Sequence, residues 1–319
     1  TTMSHRILVS SNSHVISTLL FDPSSKSLSV EHELQIGYHP SWITPYPGDN
    51  SLIFTGVEHL KGEIAAVKID ETGKGVVVKK ITSGGSDPCS LLATDDALYV
   101  ANYTAGGVAI VPISSSPPYL SSSPAYMLEM SGTGPNKDRQ ETSHPHESVL
   151  VEDYNELLVP DLGADKVWRF KKESKDGGKW KVAGSVAYEP GSGPRHIVFR
   201  EGFLYTLCEL SNTLVKHRLP ALPSEPEHIA NAPTITAIPP PNAMFAAEIL
   251  LPNPNSTFPT PYVYVSNRDD PSPEGDSISI FSIEEPGKLV LVNEVRTGLK
   301  HVRGMQFGGQ DDKWLIVGG

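Results

Sequence analysis

Four residues, His146, Arg195, Glu209 and Arg268, are the strongest candidates for chemistry in this sequence. An arginine binds a carboxylate or phosphate through two parallel hydrogen bonds, and it stabilises negative charge that develops on an oxygen. A histidine or glutamate can move a proton near neutral pH once burial and neighbouring groups have tuned its pKa. If they meet in space, these four side chains suit acid–base chemistry on a small anionic substrate.

The elements that must position these residues follow a repeated pattern of an apolar strand, a polar turn and a second alternating strand. Seven copies begin near residues 7, 52, 98, 157, 204, 263 and 314. The basic period of about 45 residues suits the four-stranded blades of a propeller. The segments are β-branched and alternating, which is not the spacing of a helical solenoid. We therefore predict an all-β fold, a seven-bladed β-propeller that forms a single domain over residues 1–319.

The same repeat predicts where the four candidates lie. His146 and Arg195 occupy equivalent places in the segments that head their blades, and the heading strand of a propeller blade is the innermost one. Glu209 and Arg268 follow the second strands of their blades. All four are therefore expected on one rim of the central channel. The alternative is that such polar residues only satisfy strand ends, as they do in any propeller.

Two longer intervals and the end of the chain depart from the repeat. Residues 114–140 are rich in Ser, Pro and Gly, and residues 220–243 are rich in Pro and Ala, so we predict loop insertions there. The chain stops at Gly319, just after the second strand of its last copy. The last blade is therefore expected to be incomplete.

Composition limits the class of partner. A net charge of −11 argues against nucleic acid, which needs a clustered basic surface. No apolar run approaches the roughly 20 residues of a membrane span, and no signal-peptide pattern opens the chain. Cys89 and Cys208 lie in apolar strands and are predicted to be reduced core thiols, which fits a cytoplasmic protein. A homo-oligomer is compatible with the sequence.

Other chemistries have weaker support. His144 and His146 resemble two zinc ligands, but no third ligand lies at a recognisable spacing, so no metal is predicted. The sequence has no Gly-x-Ser-x-Gly elbow and no glycine-rich nucleotide loop, which argues against a serine hydrolase or a nucleotide enzyme. Weaker candidates for substrate binding are His144, His196, Asn267, Arg303 and Trp42.

At these residues the sequence resembles the lactonase family of seven-bladed propellers, which includes bacterial 6-phosphogluconolactonases and fungal 3-carboxy-cis,cis-muconate lactonizing enzymes. The resemblance runs through nearly the whole chain. The motifs that carry it are Pro40-Ser41-Trp42, Ala101-Asn102-Tyr103, His146, the segment 161–167, Gly193-Pro194-Arg195-His196, Glu209-Leu210-Ser211-Asn212 and Ser266-Asn267-Arg268.

The resemblance implies an active site made of His146, Arg195, Glu209 and Arg268, with no metal or organic cofactor. In the muconate enzymes a substrate carboxylate adds to a double bond to form a lactone. By that likeness Arg195 and Arg268 would bind carboxylates and stabilise an enolate-like intermediate, while Glu209 or His146 supplies the proton. In the hydrolytic members the same groups would activate water against the lactone carbonyl.

Three functions remain open from the sequence. Our first expectation is an isomerase of aromatic catabolism that cyclises 3-carboxy-cis,cis-muconate. The alternative is a hydrolase of 6-phosphogluconolactone, for which His196, Arg303 and Lys166 could contribute to phosphate binding. A third hypothesis is a propeller without catalysis that serves as a binding platform for other proteins.

Overall fold

The structure is a computed structural model that describes residues 3–174 and 177–319. Its regular structure consists of strands, apart from two short 3-10 turns at Glu152–Tyr154 and Gln310–Asp312. All the strand pairs assigned within these sheets are antiparallel. Among the described residues, no helix has the length and hydropathy required of a membrane-spanning segment. The chain divides into two compact units.

Unit 1 contains Thr1–Ser131 and Ser143–Ser148 and carries three sheets. The first sheet has three strands in the order β1-β2-β3, and the other two have four strands, β4-β5-β6-β7 and β8-β9-β10-β11. The strands are β1 His5–Ser10, β2 Val15–Asp22, β3 Ser27–Gln35, β4 Trp42–Tyr46, β5 Asp49–Val57, β6 Glu63–Ile69, β7 Gly75–Thr82, β8 Pro88–Ala93, β9 Ala97–Asn102, β10 Gly107–Pro112 and β11 Tyr126–Glu129.

Unit 2 contains Gly132–Thr142 and Val149–Gly319 and carries four sheets. Three have four strands, in the orders β12-β13-β14-β15, β16-β17-β18-β19 and β20-β21-β22-β23, and the fourth is the pair β24-β25. The strands are β12 Val149–Val151, β13 Glu156–Asp161, β14 Lys166–Ser174, β15 Gly177–Ala187, β16 Pro194–Arg200, β17 Phe203–Cys208, β18 Thr213–Arg218, β19 Glu227–Pro233, β20 Phe245–Leu250, β21 Tyr262–Arg268, β22 Ser277–Ser282, β23 Val290–Arg296, β24 Gly304–Gly308 and β25 Trp314–Gly318.

Burial follows the position of a strand within its sheet. The second strands carry almost continuous apolar runs, and every residue of β13 is buried. The last strands face solvent on at least one side, so β7 alternates between exposed residues and residues that are partly or fully buried. A strand covered on both faces needs apolar residues throughout, whereas a half-covered strand needs them only at every second position. This difference explains why the second strands give the clearest repeat in the sequence.

The two predicted loop insertions are only partly irregular, so that prediction was wrong in part. The interval 114–140 contains β11, and the interval 220–243 contains β19; each strand is the last one of its four-stranded sheet. β11 has only four residues, and β19 contains a single large apolar residue, Ile229. Their sequences therefore give little β-periodicity.

The number of sheets bears on the predicted blade count. Six sheets have three or four strands, and the seventh copy of the repeat forms only the pair β24-β25. Seven copies of the repeat therefore form strands, but the structure shows six sheets of at least three strands rather than seven.

The first strands of three sheets contain a bulge at the same place in the repeat. The register shifts between Pro88 and Ser90 in β8, between Pro194 and His196 in β16, and between Ala246 and Ile249 in β20. A bulge places an extra residue opposite its partner strand and redirects side chains. In unit 2, Arg195 and His196 of β16 therefore occupy the same positions in the repeat as Ala247 and Glu248 of β20.

Candidate active site

Glu209 forms the centre of a buried charged cluster in unit 2. It is the first residue after β17, and its backbone N–H donates to the carbonyl of Gly193 at 2.8 Å, which fixes the turn. The residue is only 2% exposed. A carboxylate so deeply buried requires charged or hydrogen-bonding partners to compensate its lost hydration.

Three guanidinium groups surround this carboxylate. Nε of Arg195 lies 2.7 Å from Oε2 of Glu209, and Nη2 of Arg268 lies 2.9 Å from the same oxygen. Nη2 of Arg139 donates to Oε1 at 2.6 Å. The structure thus brings together three of the four residues singled out in the sequence, together with an arginine that the sequence did not indicate.

Arg195 reaches Glu209 because of the bulge in β16. Its Nη1 also donates to the carbonyl of Ala247 in the neighbouring strand β20. Arg268 ends β21, and its Nη2 lies within 3.2 Å of the carbonyl of Ala246. The backbone of β20 therefore fixes both buried arginines from one side, while Glu209 fixes them from the other.

Arg139 belongs to the irregular segment Gly132–Thr142. Its neighbour Gln140 is fully buried and donates from Nε2 to the carbonyl of Leu162 at 2.9 Å and to Oδ1 of Asp165 at 2.8 Å. The guanidinium of Arg139 lies over the ring of Phe245, 5.0 Å from its centroid. Sequence reasoning missed this residue because it follows no strand of the repeat, and the repeat supplied the register by which the other candidates were found.

The charges in the cluster shift one another's pKa values. Burial alone would raise the pKa of Glu209, but Arg268, Arg195 and Arg139 outweigh it and lower the pKa to about 2. Burial, followed by the charge of Arg268, lowers the pKa of Arg195 to about 10, while Glu209 opposes this shift. Near neutral pH the carboxylate is ionised and the guanidinium is charged.

A second buried pair, His196 and Glu248, lies beside the cluster. Nδ1 of His196 is 2.8 Å from Oε1 of Glu248, and the two residues are 1% and 8% exposed. Burial lowers the pKa of His196, although the charge of Glu248 opposes this, and the positive charges of Arg195 and Arg303 lower it further. A neutral His196 that donates to Glu248 is the arrangement these influences favour.

The remaining weaker candidates of unit 2 differ in their surroundings. Arg303 precedes β24 and is partly exposed, and its charge acts on Arg195. Asn267 is fully buried; it accepts a hydrogen bond from Oγ1 of Thr234 at 2.8 Å and donates to the carbonyl of Thr234 at 3.1 Å. These hydrogen bonds hold β21 to the segment after β19, and the expected contact of Asn267 with substrate stays a prediction.

Unit 1 contains the two histidines of the motif His144-Pro145-His146. Both are buried, and they precede β12 rather than lying within a strand. Nδ1 of His144 is 2.9 Å from the carbonyl of Tyr103, and its ring stacks on the Tyr103 ring with centroids 4.3 Å apart. The ring of His146 meets Tyr103 edge-on at 5.6 Å. The role of His146 stays a prediction.

Trp42 lies at the start of β4 in unit 1. Its indole Nε1 donates to the carbonyl of Leu91 at 3.0 Å, and its ring packs against the buried cluster that includes Leu91. Trp42 thus joins two neighbouring sheets. The contact of Trp42 with substrate expected from the sequence stays a prediction.

Over residues 3–174 and 177–319, no group of three or more His, Cys, Asp or Glu side chains is arranged to hold a metal ion.

Comparison with known proteins identifies the family. A family model described as "Lactonase, 7-bladed beta-propeller" matches residues 2–319. The chain belongs to this lactonase family. Together with the strands described above, this match confirms the prediction of an all-β propeller.

Individual lactonase relatives extend the comparison. A 6-phosphogluconolactonase of Bacillus subtilis is 30% identical over 259 residues, which cover 78% of this chain and 68% of that protein. A protein of Arthroderma benhamiae named probable 6-phosphogluconolactonase is 28% identical over 324 residues, covering 98% of this chain and 78% of that protein. The solved structure of a candidate 6-phosphogluconolactonase from Bacteroides fragilis is 26% identical in sequence and gives a TM-score of 0.82. The match covers 97% of this chain and 86% of that chain.

These lactonase relatives correct the first functional expectation. The names they carry are those of lactone hydrolases, so they support the hydrolytic alternative and give no support to an isomerase that cyclises 3-carboxy-cis,cis-muconate or to a role in aromatic catabolism. The four-residue pattern could not separate the two reactions, because both require cationic groups beside an oxygen that gains negative charge.

Proposed function

We propose that this chain is a lactone hydrolase of the 6-phosphogluconolactonase type, built as one seven-bladed propeller domain over residues 1–319. The observation that carries the proposal is the set of three arginines around the buried carboxylate of Glu209. The names of the Bacillus subtilis and Arthroderma benhamiae relatives support it independently. A small anionic lactone is the ligand that such a cationic site suits.

In the proposed reaction, water adds to the lactone carbonyl carbon and the ring C–O bond breaks, which yields an open hydroxy acid. Negative charge develops on the carbonyl oxygen in the tetrahedral intermediate. Arg195 and Arg268 would stabilise that charge, because both are fixed in advance by Glu209 and by carbonyls of β20. Buried donors that need no reorganisation stabilise a transition state more than solvent can.

The proton of the attacking water must pass to a base, and Glu209 is poorly suited to accept it. With a pKa of about 2, this carboxylate is a weak base near neutral pH. We assign to Glu209 the positioning of the three arginines. The family resemblance offers Glu209 or His146 for proton transfer, so we assign this role to His146. It would take the proton from water and return it to the ring oxygen as the C–O bond breaks.

The direct test is hydrolysis of 6-phosphogluconolactone by the purified chain, measured above the spontaneous rate. We expect turnover by the wild type and a loss of roughly 100- to 1000-fold in kcat/KM for Arg195→Ala. The matched control is Arg218→Ala, an arginine that also pairs with a carboxylate, Glu227, but is 56% exposed and outside the cluster. Circular dichroism establishes that each variant is folded.

Two results would refute the proposal. One is the absence of any acceleration by the folded wild type, which would favour the third hypothesis, a binding platform. The other is a folded Arg195→Ala variant that retains full activity. A parallel assay with 3-carboxy-cis,cis-muconate is expected to show no lactone formation.

A further inference from the structure

Arg139 differs from the other two arginines of the cluster in its access to solvent. Its side chain is 27% exposed, whereas those of Arg195 and Arg268 are 2% and 8% exposed. Arg195 and Arg268 are also held by backbone carbonyls of β20. Arg139 is therefore the guanidinium of the cluster that an arriving ligand meets first.

The position of Arg139 is fixed although it belongs to an irregular segment. Glu209 binds its Nη2 on one side, and the ring of Phe245 lies beneath its guanidinium. The adjacent Gln140 anchors the segment through Leu162 and Asp165. A partly exposed arginine held in this way loses little conformational freedom on binding a ligand, which favours affinity.

The charge balance of the cluster indicates what kind of ligand it accepts. Arg139, Arg195 and Arg268 contribute three positive charges against the one negative charge of Glu209, which leaves two positive charges. The neighbours Arg303 and Glu248, both of which act on the pKa of Arg195, cancel each other in this sum. A phosphate monoester carries nearly two negative charges at neutral pH and offers several acceptor oxygens.

We propose that Arg139 binds the phosphate group of the substrate and gives the enzyme its preference for a phosphorylated lactone over the same lactone without phosphate. The proposal deepens the lactone-hydrolase assignment and rests on it for its substrate. It divides the cluster by role, with Arg139 acting on the phosphate, and Arg195 and Arg268 acting on the carbonyl oxygen. Arg139 is thus a specificity-determining residue.

The test compares 6-phosphogluconolactone with glucono-1,5-lactone as substrates of the wild type, Arg139→Met and Arg139→Lys. For Arg139→Met we expect the ratio of the two kcat/KM values to fall at least tenfold, because a charge-assisted contact to phosphate is lost. Arg139→Lys keeps the charge and is expected to retain part of the preference. Arg218→Met is the matched control, since Arg218 also pairs with a glutamate and lies over an aromatic ring, that of Phe203.

Binding measurements separate this proposal from the proposed activity. Calorimetry gives the Kd of 6-phosphogluconate and of gluconate for the same variants, whether or not turnover occurs. Absence of lactone hydrolysis would refute the activity alone, while a preference for 6-phosphogluconate that Arg139→Met abolishes would still support the role of Arg139. An unchanged preference in folded Arg139→Met, in either assay, would overturn that role, as would a wild type that binds both acids equally.

Discussion

Nε of Arg195 lies 2.7 Å from Oε2 of Glu209, and the two side chains are almost completely buried. Arg195 belongs to the bulge of β16, and Glu209 to the turn that follows β17. The bulge and the turn face each other at one end of the same sheet. A buried carboxylate in this position compensates several guanidinium groups that would otherwise repel one another.

The first prediction concerns this compensation. Glu209→Gln keeps the shape of the side chain but removes its charge, so three arginines lose their common partner. We expect the free energy of unfolding to fall by about 3–5 kcal/mol in low-salt buffer, as measured by urea denaturation. Added inorganic phosphate should restore part of this loss, because an anion can take the place of the carboxylate.

The control for Glu209→Gln is Glu227→Gln, which removes one partner of an exposed pair with Arg218. Its effect is expected to stay below about 1 kcal/mol. If Glu209→Gln were as stable as the wild type at low salt, the compensating role of Glu209 would be excluded.

The repeat and the family resemblance together predicted three members of this cluster from the sequence. Arg195 lies in the segment that heads its blade, Glu209 and Arg268 follow second strands, and the structure brings these three together. Arg139 was missed because its position depends on Glu209, Phe245 and Gln140, which are distant in the sequence or carry no periodic signal. Contacts set by tertiary structure leave little trace in a local pattern.

The fold, too, could be predicted only where the local sequence carries a clear signal. The apolar second strands give such a signal because both of their faces are buried. The last strands β11 and β19 lie in intervals interpreted as insertions, because β11 has only four residues and β19 has a single large apolar residue, Ile229. The contacts of Asn267 and Trp42 with backbone carbonyls could not be predicted, since nothing local distinguishes a polar group that binds a ligand from one that binds a neighbouring backbone carbonyl.

The second prediction separates the two histidines of unit 1. His146→Gln is expected to lower kcat by roughly 100- to 10,000-fold and to remove one limb of the pH–rate profile, with little change in thermal stability. His144→Gln is expected to lower stability by about 1 kcal/mol or more, because His144 contacts Tyr103 through both its Nδ1 and its ring face. Each variant serves as the other's control, and the reverse pattern would assign proton transfer to His144.

The third prediction concerns the pH dependence of stability through His217, which is buried in β18 between the rings of Tyr188 and His228. Burial, followed by the charge of His228, lowers the pKa of His217 to about 4. An unfolded chain titrates this group near 6.5, so the unfolded state binds more protons between these two values. Stability is therefore expected to fall as the pH drops from about 6.5 to 4, by on the order of 3 kcal/mol.

His217→Phe keeps a ring in this place and removes the titration. Unfolding free energies measured by urea denaturation between pH 4 and 8 should therefore vary less with pH in this variant than in the wild type. His228→Gln alters the exposed neighbour and should retain most of the dependence. Identical pH profiles for the wild type and His217→Phe would show that His217 does not titrate in this range.

The fourth prediction concerns a buried ion pair that secures the start of the interval 220–243. Nε of Arg169 donates to Oε2 of Glu156 at 2.9 Å, and Nη2 donates to Oε1 at 3.1 Å. The same arginine binds the carbonyl of Pro220, and the backbone N–H of Leu222 donates to Glu156. Both charged residues are at most 1% exposed, so removing one charge leaves the other buried without compensation.

We therefore expect Glu156→Gln to lower the free energy of unfolding by about 3–5 kcal/mol, measured by urea denaturation. The exposed pair of Arg218 and Glu227 again provides the comparison, because Glu227→Gln removes the same kind of charge at a hydrated position. Limited proteolysis should also cut within 220–224 faster in Glu156→Gln, since the carboxylate no longer fixes that backbone. If Glu156→Gln and Glu227→Gln were equally stable, the ion pair of Arg169 and Glu156 would not secure this segment. Burial is the property in which the two ion pairs differ most.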